Sequence, residues 1–261
     1  MIRRPSALVW LVATLAILVA SCGGGTAGPA LTDPTEIITA ALKSTDAAKT
    51  VHIDVTIDGK VALGLPFGGA SGPTDLTGVT ASVDIDRAAN AAHAMFAAPN
   101  LLNLSGEVIA VDGKAYVKTT LTGARYRVTD AKGGLLVDLT DTGGMIDNLG
   151  DFLLKPGVDP VKGDDVACGS KQCYTVNVDL ASDELAALLG AGAAGLPVDL
   201  AGARLQLTIL VEKDLPYHLA GVSAKVTIAD SNTVSLEMTM SKWDQPVSIV
   251  APPADQVAPG S

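Results

Sequence analysis

Apolar and polar residues alternate along most of this chain with a period of two, as in strands that have one buried and one exposed face. The first such run, Val51 to Ile57, ends at Asp58-Gly59, a dipeptide typical of hairpin turns. Because the runs follow one another closely, we expect a meander of antiparallel strands. The predicted strands cover 51–57, 79–85, 92–97, 108–111, 115–119, 126–128, 174–180, 205–211, 222–228 and 234–240.

Three short segments have helical periodicity instead. The first begins at Asp33, which is suited to an N-cap, and has Pro34 in its first turn. Ser182 is suited to cap another helix. The helices are predicted over 33–44, 143–154 and 183–189.

The predicted sheet has one apolar and one polar face, so the apolar face must be covered. A few short helices with narrow apolar stripes do not fill the space over nine or ten strands, particularly since aromatic residues make up only 3% of the chain. The sequence therefore predicts an α+β fold with an apolar cavity between sheet and helices, the alternative being that the side chains themselves fill this space. The predicted lining comprises Val55, Ile57, Val83, Ile85, Met145, Leu149, Leu207, Ile209, Val226, Ile228, Met238 and Met240.

The N-terminal segment predicts export. Arg3 and Arg4 precede an apolar run that closes at Cys22, and this arrangement is typical of a cleavable signal peptide too short to span a membrane. The end of the run, from Leu18 to Cys22, resembles the bacterial lipobox, which implies a diacylated Cys22 as the new N-terminus. The alternative is ordinary secretory cleavage with an incidental cysteine. We predict a signal peptide over 1–21, a flexible tether over 22–32, and one domain over 33–261 with a short disordered C-terminal tail.

Charge excludes one class of partner. The formal net charge is −10, and nucleic acid binding requires a basic surface, so we expect no nucleic acid partner. The same acidity disfavours attraction to anionic lipid headgroups, which leaves the acyl anchor on Cys22 as the expected membrane contact.

Cys168 and Cys173 are predicted to form a disulfide, because an even pair remains once Cys22 is acylated and exported proteins meet an oxidising compartment. Strand-like residues flank the Gly-Ser-Lys turn between them, so the bond would close a hairpin. A zinc site would need further Cys or His ligands nearby, and a redox motif would have two residues between the cysteines rather than four.

Candidate catalytic groups are scattered. His52 and His218 are predicted on exposed strand faces, and His93 belongs to no metal or nucleophile motif. Asp141-Thr142-Gly143 has the triplet of aspartic proteases but precedes a predicted helix, so a capping turn is the favoured interpretation. Residues 69–72 miss the Gly-x-Ser-x-Gly pattern by one residue. We therefore expect a protein that is not an enzyme, with no catalytic residue, metal or cofactor.

The segment from Ser241 to Ile249 contains Trp243 followed by Pro246 and Val247. Together with the lipobox and the long meander, it resembles the mycobacterial LppX/LprA/LprF/LprG lipoproteins, whose last strand typically ends in Trp-x-x-Pro-Val. The resemblance implies a large curved antiparallel half-barrel with short helices on its concave face, related in shape to the LolA and LolB carriers.

The same resemblance implies a function. Such a protein would be anchored to the outer face of the cytoplasmic membrane, would bind acylated lipids or glycolipids, and would help to carry them towards the outer envelope. A membrane lipid exporter is then a candidate partner, and we expect a monomer. The alternative is a tethered interaction or sensing module of the envelope without a lipid cargo.

Overall fold

Thirteen strands pair edge to edge into one antiparallel sheet in the computed structural model, which describes residues 28–61, 73–130, 149–189, 202–228 and 232–259. The strands are β1 (Thr50–Val61), β2 (Thr74–Asp75), β3 (Val79–Asp86), β4 (Ala91–Ala98), β5 (Leu104–Val111), β6 (Lys114–Thr119), β7 (Arg127–Asp130), β8 (Val161–Lys162), β9 (Val166–Cys168), β10 (Lys171–Leu180), β11 (Arg204–Glu212), β12 (Leu219–Ile228) and β13 (Asn232–Ser241). All ten predicted strands are confirmed, with small shifts at their ends.

Sequence neighbours pair along most of the sheet, whose order is β7-β6-β5-β4-β3-β1-β13-β12-β11-β10-β8. The long-range pairing of β1 with β13 joins the N-terminal and C-terminal meanders in its middle. Among the described strands no pairing joins β7 to β8, so the sheet is open. This is the predicted α+β half-barrel.

Three helices accompany the sheet in the described ranges. They are α1 (Pro34–Ala47), α2 (149–153) and α3 (Ser182–Leu189). Asp33 caps α1 as predicted, its Oδ1 accepting a hydrogen bond from the Glu36 N–H at 3.0 Å. The earlier part of the helix predicted over 143–154 lies outside the described residues.

We call the sheet face that carries α1 the inner face and the opposite one the outer face. The floor end is the end where β1 begins and β13 ends, and the open end is the end where β1 finishes and β13 starts.

α1 contacts β10, β11 and β12. Near its C-terminus Ser44 Oγ donates to the carbonyl of Tyr217 at 2.9 Å, just before β12 begins. The Arg87 guanidinium, just after β3, donates to the carbonyl of Thr45 at 2.8 Å. The helix thus lies across the floor end.

The hairpin turn predicted at Asp58-Gly59 is wrong. β1 continues through Gly59 to Val61, and Gly59 pairs with Val234 of β13. Gly59 has a φ of +130°, and a Cβ there would lie 2.1 Å from the Thr233 carbonyl oxygen. The glycine is therefore required by the close approach of a neighbouring strand rather than by a turn.

The two ends of the part of the chain that the structure describes pack onto the domain. Leu31, within the predicted tether, is only 7% exposed and belongs to the hydrophobic core. After β13, the Lys49 N–H donates to Asp244 Oδ1 at 2.8 Å. Farther on, Val257 forms a parallel bridge with Tyr126 beside β7. The C-terminal segment thus reaches from the centre of the sheet to its β7 edge.

Candidate functional site

The inner face is apolar across the central strands. In β1, β3 and β12, and in β13 from Val234 to Met240, the residues facing inward are aliphatic or methionine, with Gly59 as the exception. Cross-strand partners continue this surface from strand to strand: Val55 pairs with Ala81 on one side and with Met238 on the other. Side chains of this kind can hold an apolar group but offer it no hydrogen bond.

At the floor end this surface is closed by α1 and α2. Ile37, Ile38 and Ala41 of α1 and Leu153 of α2 are fully buried against it. α3 instead follows directly on Leu180, where β10 finishes at the open end; it contacts β11 and buries Leu185. These residues form the packed core of the protein.

Towards the open end the inner face is only half-buried on the central strands, whereas Leu180 of β10 and Leu205 of β11 are buried there. Val55 and Ile57 of β1 are half-buried, as are their partners Ala81 and Met238. Phe96 pairs with Ala81 and extends the surface by one strand. We call this half-buried surface the open patch; its members in the described strands are Val55, Ile57, Val79, Ala81, Phe96, Ala224, Val226, Ile228, Val234, Leu236 and Met238.

The predicted lining is thus divided between buried core positions and half-buried positions, most of which belong to the open patch. Six of its members are half-buried: Val55, Ile57, Leu149, Val226, Ile228 and Met238. Five are buried: Val83, Ile85, Leu207, Ile209 and Met240. Met145 lies outside the described residues. Phe96 and Leu236, which the sequence-based lining omits, belong to the same patch, and the period-two pattern of their strands could have identified them.

The predicted disulfide is confirmed. Cys168 and Cys173 are bonded, with their Cα atoms 5.8 Å apart, and they close the hairpin of β9 and β10. The Lys171 ammonium group is 2.5 Å from Glu212 Oε2, which ties the hairpin to β11. The bond lies at the floor end, since Cys173 pairs with Glu212 at the end of β11.

The outer face carries the histidines. His52 Nδ1 lies 2.6 Å from Asp84 Oδ1, and His93 Nε2 lies 2.9 Å from Glu107 Oε1. Partial burial alone would raise the pKa of Glu107, but hydrogen bonds from Lys118, Tyr126 and His93 outweigh it and lower the pKa to about 2. These contacts are side-chain pairs on a sheet surface. In the described part of the chain no three His, Cys, Asp or Glu side chains are grouped so that they could hold a metal ion.

The prediction that His218 is exposed is wrong, because its side chain is buried. It is 7% exposed and its ring stacks on Trp243, with the ring centroids 4.8 Å apart. The indole Nε1 donates to the Leu219 carbonyl at 3.1 Å. Burial lowers the pKa of His218. Both rings border an outer-face cleft of about 570 Å³ next to the disulfide hairpin.

The protease-like triplet at Asp141 and the near-match over 69–72 lie outside the described residues, as does Cys22. No helix in the described ranges is both long and apolar enough to cross a membrane.

Comparisons with known proteins show likeness in structure only. Neither a protein-family model nor a curated protein sequence matches this chain. The crystal structure of LprF from Mycobacterium bovis matches with a TM-score of 0.54 and 17% identity, covering 86% of this chain and 99% of that one. The crystal structure of the Mycobacterium tuberculosis lipoprotein LppX matches with a TM-score of 0.51 and 16% identity, covering 84% and 100%. The resemblance identified in the sequence is therefore confirmed in the fold, which this chain shares with these two mycobacterial proteins.

Proposed function

We propose that this protein is an exported, membrane-anchored lipoprotein that binds the acyl chains of lipids or glycolipids on its inner face and helps to carry them from the cytoplasmic membrane towards the outer envelope. The open patch is the observation that carries the proposal. It is a continuous apolar surface inside a half-barrel, only half-buried, beside a floor that is tightly packed.

The physical argument concerns the exposure of lipid tails to water. A tail of about 16 carbons costs on the order of 12 kcal/mol to expose, at about 0.8 kcal/mol per CH₂. An apolar surface that covers part of the tail lowers this cost without any directional bond. Val55, Ile57 and Met238 would contact the tail, and the flexible Met238 side chain suits chains of differing shape.

The anchor and the domain organisation belong to the same proposal. Residues 1–21 would be removed as a signal peptide, and Cys22 would carry the acyl chains that hold one folded domain at the outer face of the membrane. Two acyl chains hold a protein stably, whereas one holds it only marginally. A membrane lipid exporter would supply the cargo to a monomeric carrier.

Mass spectrometry of co-purified lipid tests this function. The full-length protein is purified from bacterial membranes in mild detergent and extracted with organic solvent. The lipid on Cys22 is covalent and stays with the protein, so extracted lipid is cargo. We expect stoichiometric acyl lipid from the parent protein and several-fold less from Val55→Asn, which makes the open patch polar.

Thr56→Asn is the matched control, because Thr56 neighbours Val55 but faces outward. It should keep the cargo of the parent protein. If no acyl lipid co-purifies with a folded parent protein, or if the two variants retain equal amounts, the open patch does not bind lipid.

The alternative is an interaction module of the envelope, and one observation favours it. Met95 on the outer face is 53% exposed and lies between grooves of about 320 and 460 Å³. Such a surface could contact another protein. If Met95→Gln keeps its lipid but loses an envelope partner that the parent protein binds, the result supports this function in addition to lipid binding. If the parent protein carries no lipid and Met95→Gln still loses that partner, the result supports the interaction function alone.

A further inference from the structure

Two tyrosine hydroxyl groups fix the point at which the chain enters the domain. The Tyr217 hydroxyl donates to the Pro29 carbonyl at 2.8 Å. The Leu31 N–H donates to the Tyr174 hydroxyl at 3.0 Å. Because Leu31 is also buried in the core, residues 29–31 are held by both polar and apolar contacts. We call the two tyrosines the entry clamp.

The clamp is built into the floor end. Tyr174 lies near the start of β10, and Tyr217 directly precedes His218 and β12. Ser44 of α1 donates to the Tyr217 carbonyl, and the Tyr217 N–H donates to the Asp214 carbonyl at 2.8 Å. A helix and the β11–β12 loop itself therefore hold Tyr217 in place, so the entry point is fixed relative to the sheet.

The short reach of the tether limits where the membrane can be. Five residues separate Cys22 from Gly28. A fully extended chain spans at most about 3.5 Å per residue, so this segment bridges at most about 20 Å. β1 alone has 12 residues and is about 40 Å long at about 3.3 Å per residue. The segment from Cys22 to Gly28 therefore reaches at most about half the length of the sheet.

We propose that the floor end lies against the membrane that holds the acyl anchor, and that the open patch points away from it. The inference rests on the proposed acylation of Cys22. The loop between β11 and β12, which carries Tyr217, then lies on the side of the domain that faces the lipid headgroups, and its Leu215 is 46% exposed. An anchored carrier oriented in this way would present its cargo to acceptors farther out in the envelope rather than return it to the anchoring membrane.

Fluorescence quenching measures this orientation. The full-length acylated protein is reconstituted into vesicles of phosphatidylcholine and phosphatidylglycerol that contain some lipid with a nitroxide on its headgroup. A fluorophore is attached at Leu215→Cys on the floor end or, as the matched site, at Lys60→Cys on the open end, where Lys60 is exposed. Labelling without reductant keeps the Cys168–Cys173 bond intact. We expect quenching several-fold stronger at position 215 than at position 60.

The outcomes separate the inference from the function on which it rests. If the protein does not float with the vesicles, it has no acyl anchor, and both the proposed anchor and the proposed orientation are wrong. If it floats, but position 60 is quenched as strongly as position 215 or more strongly, the orientation is wrong while the anchor stands. Cys22→Ala should show neither flotation nor quenching.

The clamp itself is tested by removing one hydroxyl group. Tyr217→Phe loses the bond to Pro29, so the effective tether lengthens and quenching at position 215 should fall. Tyr116→Phe, which removes a hydroxyl from the half-buried outer-face Tyr116, should leave quenching unchanged. Equal quenching in the two variants would show that the Tyr217 hydroxyl does not set the orientation.

Discussion

The Glu107 carboxylate of β5 binds the ammonium group of Lys118 on β6, with Oε2 and Nζ 2.8 Å apart on the outer face. The Tyr126 hydroxyl donates to the same oxygen at 2.6 Å, and Lys118 Nζ lies 4.4 Å from the centre of the Tyr126 ring. This cluster joins β5, β6 and the residue just before β7 on the side of the sheet away from the open patch. Its contribution should therefore be to stability and not to lipid binding.

Glu107→Gln should make the protein less stable at neutral pH and less sensitive to acid. The folded-state pKa of Glu107 is about 2, below its ordinary value of 4.5, so its contribution is fully present above about pH 4.5 and is lost as the pH falls towards 2. The difference corresponds to on the order of 3 kcal/mol at pH 7, an upper bound because the Glu107 carboxylate is partly exposed to solvent. Urea unfolding at several pH values measures the effect, and Glu237→Gln on the exposed face of β13 should change little. Parallel pH profiles for the parent and Glu107→Gln would contradict this prediction.

Ile85→Ala and Ile57→Ala should separate the core from the open patch. Ile85 is 1% exposed, and truncating such a side chain lowers the free energy of unfolding by about 2 to 5 kcal/mol. Ile57 is half-buried on the neighbouring strand, so its truncation should cost about 1 kcal/mol or less but reduce co-purified lipid. Denaturant unfolding and lipid extraction measure the two effects. Equal losses of stability would mean that the open patch is packed like the core.

Local pattern was enough to predict the strands, because one polar and one apolar face leave a period-two signal in each of them. It could not show that β1 pairs with β13, since nothing in either strand encodes a partner about 180 residues away. The predicted cavity lining includes both the buried Ile85 and the half-buried Ile57. Alternation shows which face of the sheet a residue is on, whereas its burial depends on where α1 covers that face. His218 was misplaced because Trp243, which covers it, is distant in sequence.

Gly59→Ala should be far more destabilising than Gly113→Ala. Both glycines have positive φ, so an alanine is strained at either position. At Gly59 a Cβ would also clash with the Thr233 carbonyl oxygen, whereas at Gly113 it would point into open space. We expect a loss of about 1 kcal/mol at Gly113 and a loss several times larger at Gly59. Thermal unfolding measures both, and similar losses would show that β1 and β13 adapt easily to a side chain.

Replacing both Cys168 and Cys173 by serine should lower the free energy of unfolding by about 2 kcal/mol, since the bond closes a short loop. A reductant should destabilise the parent protein by a similar amount and leave the double variant unchanged. The bond is on the floor end, so lipid extracted from the folded double variant should equal that from the parent. Loss of lipid without loss of fold would instead connect the hairpin to the open patch.

His218 should make the protein lose stability in mild acid. Burial holds its folded-state pKa below the ordinary 6.5, while Glu212 and Asp244 nearby only partly offset that effect. As the pH falls below 6.5 the unfolded chain binds the proton first, so the free energy of unfolding declines until the folded-state pKa is reached. Above pH 6.5 this residue contributes no pH dependence.

The measurement uses the indole that His218 stacks on. In the chain without residues 1–21, Trp243 is the only tryptophan, and its fluorescence reports unfolding in urea. His218→Phe keeps an aromatic ring against Trp243 but cannot bind a proton, so its stability should vary less between pH 7 and pH 5 than that of the parent. His52 and His93 bind carboxylates on the outer face and are unchanged in both proteins, so they contribute equally. If the two stabilities decline in parallel, the buried imidazole is not the source of the acid sensitivity.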